Sequence, residues 1–408
     1  MSRSRFRSNR LLSMRTLSLV LMAMLLFGAA ASGAEAEALA GKVRLVLPPV
    51  IYATPGVECN LYFDNAILTT SEGNYAFDVK CDIGLQMSER WAVTPSKGDA
   101  GDHPIVVEVR DKTNELVARG ESVVRVKLPP QKTDQPTTLL IIGDSLTEAS
   151  IYPQQIVDLA KGGGVHWLEL IGTRGPKNMP PSGDVKHEGY SGWTANAFTL
   201  FSGPLARSGY YKRGATGSPF IFESTADVKS LDFGRYCDDV NDGKCPDLVT
   251  IGLGTNDVFG ANDGNIEAEL GKMFEHYDAV VQSIQMACPK TRIGVQLTTP
   301  PSTSEDGFRN YRGAGKQTRA QYRRNQHRLV EQLLAHYGGR ESDNLYVIPT
   351  YLNLDAAYNF PTGPERKNAR SRETIMRVKD GVHPAPAGYK QIGDAIYAWV
   401  VAMYQEPG

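Results

Sequence analysis

The chain has 408 residues, of which 41% are hydrophobic and 22% are charged, and its formal net charge is -1. This composition is typical of a folded globular protein and excludes collagen-like, fibrous and wholly disordered chains. A near-neutral chain lacks the electrostatic footprint of a nucleic-acid-binding protein. Its length is sufficient for two domains of ordinary size.

The first forty residues have the pattern of a secretory signal peptide. Five arginines, the last of them Arg15, precede the apolar run Leu17–Ala31, and small residues follow between Ala34 and Ala40. The apolar run is about fifteen residues long, whereas a membrane span needs roughly 20. We therefore expect residues 1–40 to be cleaved, leaving no stable membrane span and a secreted or periplasmic protein. An uncleaved anchor is the alternative.

Five cysteines fit an oxidising compartment but do not define their own pairing. Cys59 and Cys81 lie in one region, and Cys237 and Cys245 flank a short polar loop, so two disulfides are possible. Cys288 would then be unpaired, and we expect it to be a small buried hydrophobic residue at the end of a helix.

Short β-rich segments separated by turn residues occupy residues 41–128, a pattern typical of a small all-β sandwich. Residues 129–136 are polar and rich in proline, which predicts a linker. We expect the β domain either to shield an apolar face of the next domain or to bind carbohydrate.

Residues 137–408 instead show buried strands that alternate with longer amphipathic segments. Strands are predicted at Thr138–Ile142, Trp167–Ile171, Leu248–Leu253, Arg292–Leu297 and Leu345–Ile348, and helices at Ile266–Ala287 and Lys316–Tyr337. This alternation predicts an α/β domain with a mostly parallel sheet and helices on both faces. Its ligand site is expected at the carboxyl ends of the strands.

The first candidate site residue is Ser145, in a Gly-Asp-Ser sequence that ends the aliphatic strand Thr138–Ile142. Its hydroxyl is expected to face the cleft, and its backbone N–H to lie near a helix N-terminus, where developing negative charge is stabilised. Ser145 is thus a candidate nucleophile. An N-cap serine is the alternative.

Two further segments offer hydrogen-bond donors for an oxyanion. Asn256 follows a glycine-rich strand end, and its amide is an uncharged donor, although a simple turn is the alternative. The loop of residues 187–194 is rich in small residues, and within it Gly192 is favoured over Gly189 as a source of an unhindered N–H.

The last motif is Asp380-Gly381-Val382-His383. A carboxylate three residues before a histidine can accept the imidazole Nδ1 hydrogen, which leaves Nε2 free to take a proton from a serine. A solvated turn is the alternative.

Together these four segments resemble blocks I, II, III and V of the SGNH (GDSL) hydrolases, in the order of that family. The resemblance covers residues from about 137 to the C-terminus. It implies a three-layer α/β/α flavodoxin-like fold with a five-stranded, mostly parallel sheet. It implies that Ser145 is the nucleophile, that Asp380 and His383 complete the triad, and that Ser145, Gly192 and Asn256 form the oxyanion hole.

The substrate is predicted less directly, because this family includes lipases, arylesterases, thioesterases and carbohydrate acetylesterases on one scaffold. Export, the β domain and the aromatic residues Tyr190, Trp193 and Tyr236, which suit stacking on sugar rings, favour the O-acetyl groups of a carbohydrate. The alternatives are a lipase or arylesterase on small or lipid esters, an O-acyltransferase with the same triad, and an inactive binding protein. The expected partner is an acylated small molecule or polysaccharide.

No cofactor and no metal are expected, because the remaining histidines form no metal-binding motif. His187 is a candidate for contact with the substrate. The arginines between Arg319 and Arg328 have helical spacing and are expected to form a solvated helix face.

Overall fold

The computed structural model describes residues 43–69, 72–131, 133, 135–162, 166–179, 181, 183–202, 217–223, 229–309 and 317–404. The predicted signal peptide lies outside the described residues, as do residues 203–216 and 224–228.

The N-terminal region is built from β-strands. Its elements are β1 (Arg44–Leu45), β2 (Val50–Ala53), β3 (Cys59–Tyr62), α1 (Phe63–Ala66), β4 (Ile67–Leu68), β5 (Ala76–Lys80), β6 (Leu85–Gln86), β7 (Arg90–Val93), β8 (Gly101–Arg110) and β9 (Leu116–Val126). One sheet has the order β2-β9-β8-β5 and a second has the order β3-β7-β6, while β1 pairs with β4. On β8, alternate residues Ile105, Val107 and Val109 are buried in a core that both larger sheets share. The region is therefore mostly β, as its sequence pattern predicts, with one four-residue helix, α1, as an addition.

The second region alternates strands and helices. Its strands are β10 (Thr137–Gly143), β11 (Leu168–Ile171), β12 (Glu188–Gly189), β13 (Ile221–Glu223), β14 (Lys229–Leu231), β15 (Leu248–Gly252), β16 (Arg292–Gln296), β17 (Leu345–Ile348), β18 (Thr362–Arg366) and β19 (Thr374–Val378). Its helices are α2 (Ser145–Glu148), α3 (Ile151–Gly162), α4 (Ala195–Leu200), α5 (Phe233–Val240), α6 (Ile266–Ala287), α7 (Arg319–Tyr337), α8 (Thr350–Asn353) and α9 (Pro386–Met403).

The central sheet has the order β11-β10-β15-β16-β17, with every pair parallel. The five predicted strands are confirmed, and the two-residue strand β12 adds to them by pairing with the end of β10. The strands β13 and β14, and likewise β18 and β19, form antiparallel hairpins outside this sheet.

Helices cover both faces of the sheet. Along β10, Leu139 and Ile141 pack in one cluster with α3 and α9, whereas Leu140 and Ile142 face the opposite way and pack with α6 and α7. This alternation is the two-residue period of a strand that is buried on both faces. The α/β fold with a mostly parallel sheet is therefore confirmed. Within the described part of the chain, no helix is long and apolar enough to span a membrane.

Buried hydrogen bonds join the β region to the second region. The Asn60 backbone N–H donates to Asn353 Oδ1 over 2.7 Å, and the Tyr351 hydroxyl donates to the Val46 carbonyl, also over 2.7 Å. Asn65 is buried too, and its amide donates to the carbonyls that follow β17. Apolar residues from both regions share one core cluster. The contact surface is therefore a packed interior.

Removing residues 1–136 is expected to give an insoluble protein or one that unfolds at a lower temperature. The truncation would expose apolar surface, and it would leave Asn353 Oδ1 and the Tyr351 hydroxyl without their partners, at about 1–3 kcal/mol for each group that stays buried. Circular dichroism melting of the truncated and full-length chains measures the effect, with removal of residues 1–42 alone as the control. A stable, active protein that begins near Thr137 would refute this shielding role.

The disulfide differs from both predicted pairs. Cys245 is bonded to Cys288, with a Cα–Cα distance of 5.6 Å, whereas Cys59, Cys81 and Cys237 are free. The expectation that Cys288 is unpaired is therefore wrong. The end of α6 lies beside the loop after α5, which brings Cys288 next to Cys245. The two residues are 43 positions apart, so the sequence pattern does not indicate this contact.

Candidate active site

Ser145, His383 and Asp380 form a continuous chain of hydrogen bonds. Ser145 Oγ lies 2.9 Å from His383 Nε2, and His383 Nδ1 lies 3.0 Å from Asp380 Oδ2. The other carboxylate oxygen of Asp380 accepts the backbone N–H groups of Val382 and His383 over 2.8 and 2.9 Å. These contacts orient the imidazole with its Nε2 towards the serine, which is the arrangement required of a general base.

The pKa values of Asp380 and His383 suit transfer of a proton from Ser145. Burial raises the pKa of Asp380, but the hydrogen bonds from His383 outweigh it, so the net pKa is lowered to about 2. Burial lowers the pKa of His383, but the hydrogen bond and the charge of Asp380 outweigh it, so the net pKa is raised. An ionised Asp380 thus increases the basicity of the imidazole that faces Ser145.

Local sequence explains the position of the serine. Strand β10 ends at Gly143, and Ser145 is the first residue of α2, whose N-cap is Asp144. The Asp144 carboxylate accepts the N–H of Leu146 over 2.9 Å. A Cβ on Gly143 would lie 1.9 Å from Thr147 Oγ1, so only glycine fits at this turn.

Asn256 follows β15 and stands beside this turn. Its Nδ2 donates to Asp144 Oδ2 and to the carbonyl of Trp193, over 3.0 Å in each case. Both amide hydrogens therefore have acceptors in this structure, and an oxyanion would have to share or displace one of them. Asn256 thus connects the nucleophile turn to the loop that carries Gly192.

Gly192 has a φ of +71°, a left-handed conformation that favours glycine. The turn is closed by a hydrogen bond from the Trp193 N–H to the Tyr190 carbonyl over 3.2 Å. Gly189, the second glycine considered, belongs to β12, and its N–H donates to the His187 ring over 3.1 Å. Gly192 therefore remains the candidate donor in this loop.

Replacing Asn256 with alanine is expected to lower kcat by about 10²- to 10³-fold, because one preorganised oxyanion donor is lost. Steady-state kinetics with p-nitrophenyl acetate measure the effect, and a thermal melt of the variant serves as the folding control. A change in KM alone would contradict the role assigned to Asn256.

Sequence reasoning missed two carboxylates that support the site, the buried Asp144 and the half-buried Asp257. Burial raises the pKa of Asp144, the N-cap of α2, to about 6. Burial also raises the pKa of Asp257 to about 7, and its two oxygens accept the Ala195 N–H over 3.0 and 3.2 Å. Asp257 thereby ties the β15 loop to the Gly192 loop. Both residues adjoin predicted site residues, which is the one signal that the sequence offers for them.

His187 is buried, so this candidate is not available for contact with the substrate. The residue is fully buried, and burial, with the charge of Arg174, lowers its pKa to about 3. Its Nδ1 accepts the Gly189 N–H, so the ring proton is on Nε2, which lies 2.8 Å from Ser150 Oγ. His187 therefore links β12 to the turn after α2.

The aromatic residues predicted to stack on sugar are buried as well. Tyr190 and Trp193 are each 2% exposed and Tyr236 is 0% exposed. The Tyr190 and Tyr236 hydroxyls donate to the buried carboxylate of Glu188 over 2.6 and 2.8 Å, and the Trp193 ring stacks on Tyr190. These rings support the Gly192 loop from behind, so the prediction that they contact sugar is wrong.

The arginine face of α7 is only partly solvated. Arg324 and Arg328 form exposed ion pairs with Asp263 and Glu267, as a solvated face predicts. Arg323 instead is buried and pairs with Asp64 of the β region. Among the described residues, no group of three or more His, Cys, Asp or Glu side chains is placed to hold a metal ion.

Comparison with known proteins gives a family match. The family model of GDSL-like lipase/acylhydrolase matches residues 139–396, which is more than half of the chain. No curated protein matches the chain.

Solved structures with a similar arrangement include three carbohydrate esterases. The carbohydrate esterase family 3 protein from Talaromyces cellulolyticus is 18% identical, with a TM-score of 0.36, and the alignment covers 65% of this chain and 97% of that protein. The Clostridium thermocellum family 3 carbohydrate esterase is 18% identical, with a TM-score of 0.34 and coverages of 64% and 94%. A carbohydrate acetylesterase family member from Sinorhizobium meliloti is 15% identical, with a TM-score of 0.35 and coverages of 65% and 98%.

Proposed function

Because this chain belongs to the GDSL-like lipase/acylhydrolase family and is an ester-hydrolysing enzyme, we propose that it removes small O-acyl groups, in particular acetyl, from carbohydrate. The observation that supports the proposed catalytic mechanism is the chain of hydrogen bonds from Ser145 through His383 to Asp380.

The proposed reaction is acyl transfer in two steps. His383 Nε2 takes the proton of Ser145 Oγ as this oxygen attacks the ester carbonyl, and the alcohol leaves with that proton. Water, deprotonated by the same imidazole, then attacks the acyl-enzyme, and the acid is released as the imidazolium returns the proton to Ser145 Oγ. Each step passes through an oxyanion, which the N–H groups of Ser145 and Gly192 and the Asn256 amide stabilise.

A small acyl group is supported by what surrounds the nucleophile. Gly143, Asp144, Gly192 and Asn256 offer polar or small groups, and the large rings behind the Gly192 loop are already packed against one another. A longer chain gains about 0.8 kcal/mol for each buried CH₂ and needs apolar surface for it. The alcohol side is proposed to be a carbohydrate because the enzyme is proposed to be exported, with residues 1–40 as its signal peptide.

A lipase or arylesterase is the second candidate, and one observation favours it. Leu200 and Phe201 at the end of α4 are 60% and 39% exposed, and the Phe201 ring contacts Trp193 with centroids 5.5 Å apart. An apolar pair near the Gly192 loop would suit a longer acyl chain. An O-acyltransferase would use the same triad with an acceptor alcohol in place of water.

The acyl preference is expected to fall with chain length. For p-nitrophenyl esters from two to eight carbons, kcat/KM should decrease steadily, because the groups around Ser145 named above are small or polar and give a longer chain little apolar contact. The second readout is acetate release from acetylated plant and algal polysaccharides, with water as the acceptor. A rise of kcat/KM across the series would favour the lipid esterase instead, and Leu200→Ser would then be expected to abolish the rise.

A further inference from the structure

A cavity of about 340 Å³ lies between the β region and the second region. Its walls come from the segments around Phe63 and Phe77, and from the loops that follow β16 and β17. This volume lies at the lower end of the range for small-molecule sites. The described residues that line the cavity include none of the catalytic triad.

Hydrogen bonds connect the rim of this cavity to the catalytic loop. The Ser302 N–H donates to the Gly381 carbonyl over 3.0 Å, and the Ala385 N–H donates to the Asn359 carbonyl over 2.9 Å. Ser302 and Asn359 belong to the two loops that form one wall of the cavity, while the other two residues flank His383. The two loops of this wall are therefore hydrogen-bonded directly to the segment that carries His383.

Aromatic rings line both walls. Tyr75 and Phe77 are half-buried in the β region, and Tyr358 on the opposite wall is 74% exposed. Phe77 stacks on Phe63 with centroids 4.4 Å apart and planes 5° apart, which holds its ring in place. Such rings offer apolar faces to a flat ligand.

Carboxylates stand beside these rings. Asp355 Oδ1 accepts the N–H groups of Ala357 and Tyr358 over 2.9 Å each, and Oδ2 accepts the Tyr62 hydroxyl over 3.3 Å, so this side chain is held in one orientation. Glu89 on the opposite wall is exposed. The cavity thus combines apolar faces with one carboxylate of fixed orientation, Asp355, and one exposed carboxylate, Glu89.

We propose that this cavity binds a sugar unit of the carbohydrate substrate, away from the unit whose ester reacts at Ser145. The inference rests on the proposed function. A pyranose ring presents C–H groups on its faces and hydroxyl donors around its edge, which match the rings and the carboxylates respectively. An acyl chain has no hydroxyl donors, so it could contact the rings but could not donate hydrogen bonds to the carboxylates.

The test compares two substrates on one variant. Tyr358→Ala is expected to lower kcat/KM for acetylated xylan about threefold to tenfold, the range expected for one lost ring contact. It should leave kcat/KM for p-nitrophenyl acetate unchanged, because that substrate does not reach the cavity. Tyr358→Phe keeps the ring and should behave as the wild type. Leu85→Ala is the matched control, since Leu85 is 73% exposed on the same β region and does not line the cavity.

Three results would overturn the proposal. They are an unchanged kcat/KM for acetylated xylan in Tyr358→Ala, an equal loss on both substrates, and an equal loss in Tyr358→Phe. Failure of the proposed function is seen separately, in the wild-type enzyme. If that enzyme hydrolyses p-nitrophenyl acetate but releases no acetate from any acetylated polysaccharide, the carbohydrate assignment fails and the sugar site fails with it.

Discussion

Replacing Ser145 with alanine is expected to lower kcat by about 10⁶-fold, because the side chain supplies the atom that bonds to the acyl group. The fold should survive, since Ser145 is only partly buried and the hydrogen bond of its hydroxyl to His383 lies within the site. Rates of p-nitrophenyl acetate hydrolysis and a thermal melt of the purified variant measure the two effects.

The structure offers a matched control for this substitution. Ser150 forms a second serine–histidine pair with His187, and its Oγ–Nε2 distance of 2.8 Å is close to the 2.9 Å of the catalytic pair. Ser150 and His187 are both buried, so the pair does not meet substrate. Ser150→Ala should therefore retain turnover. Appreciable hydrolysis by a folded Ser145→Ala protein would contradict the assigned nucleophile.

The second large effect is expected for Asp380→Asn, which should lower kcat by about 10⁴-fold. The asparagine Oδ1 can still accept the N–H groups of Val382 and His383, so the loop should keep its shape. Its NH₂ group, however, would donate to His383 Nδ1 in place of Asp380 Oδ2. The ring proton would then move to Nε2, and the imidazole could not accept the proton of Ser145.

A pH profile separates this effect from simple misfolding. In the wild type, kcat/KM should fall as the pH drops through the pKa of His383, because the protonated imidazole is no base. Asp380 raises this pKa, so the acid limb should lie above that of an ordinary histidine. In Asp380→Asn the residual activity should have its acid limb at lower pH. An acid limb that does not move would contradict the assigned pairing of Asp380 with His383.

The site residues that could be predicted are those whose positions are set by a few neighbouring residues in the sequence. Ser145 and Asn256 follow buried strands, and parallel strands bring their carboxyl ends to one edge of the sheet. Asp380 and His383 are three residues apart, so one turn brings them together. Sequence patterns of a few residues contain this information.

The features that were missed or mispredicted depend on contacts between distant segments. Asp257 accepts a hydrogen bond from Ala195, 62 residues away in the sequence, and no local pattern predicts that contact. The aromatic residues near Gly192 look like a sugar platform in the sequence, but the buried carboxylate of Glu188 holds the hydroxyls of Tyr190 and Tyr236 inside the core. Burial of this kind follows from packing between segments, which the order of residues does not reveal.

The most direct test of the central claim is covalent labelling of the nucleophile. The enzyme is treated with a fluorophosphonate, which reacts with activated serines, and the labelled protein is digested and analysed by mass spectrometry. We predict one adduct, on the peptide that contains Ser145, together with loss of esterase activity, and no adduct in Ser145→Ala. An adduct on another residue, or full activity after Ser145 has been labelled, would contradict the claim that Ser145 is the catalytic nucleophile.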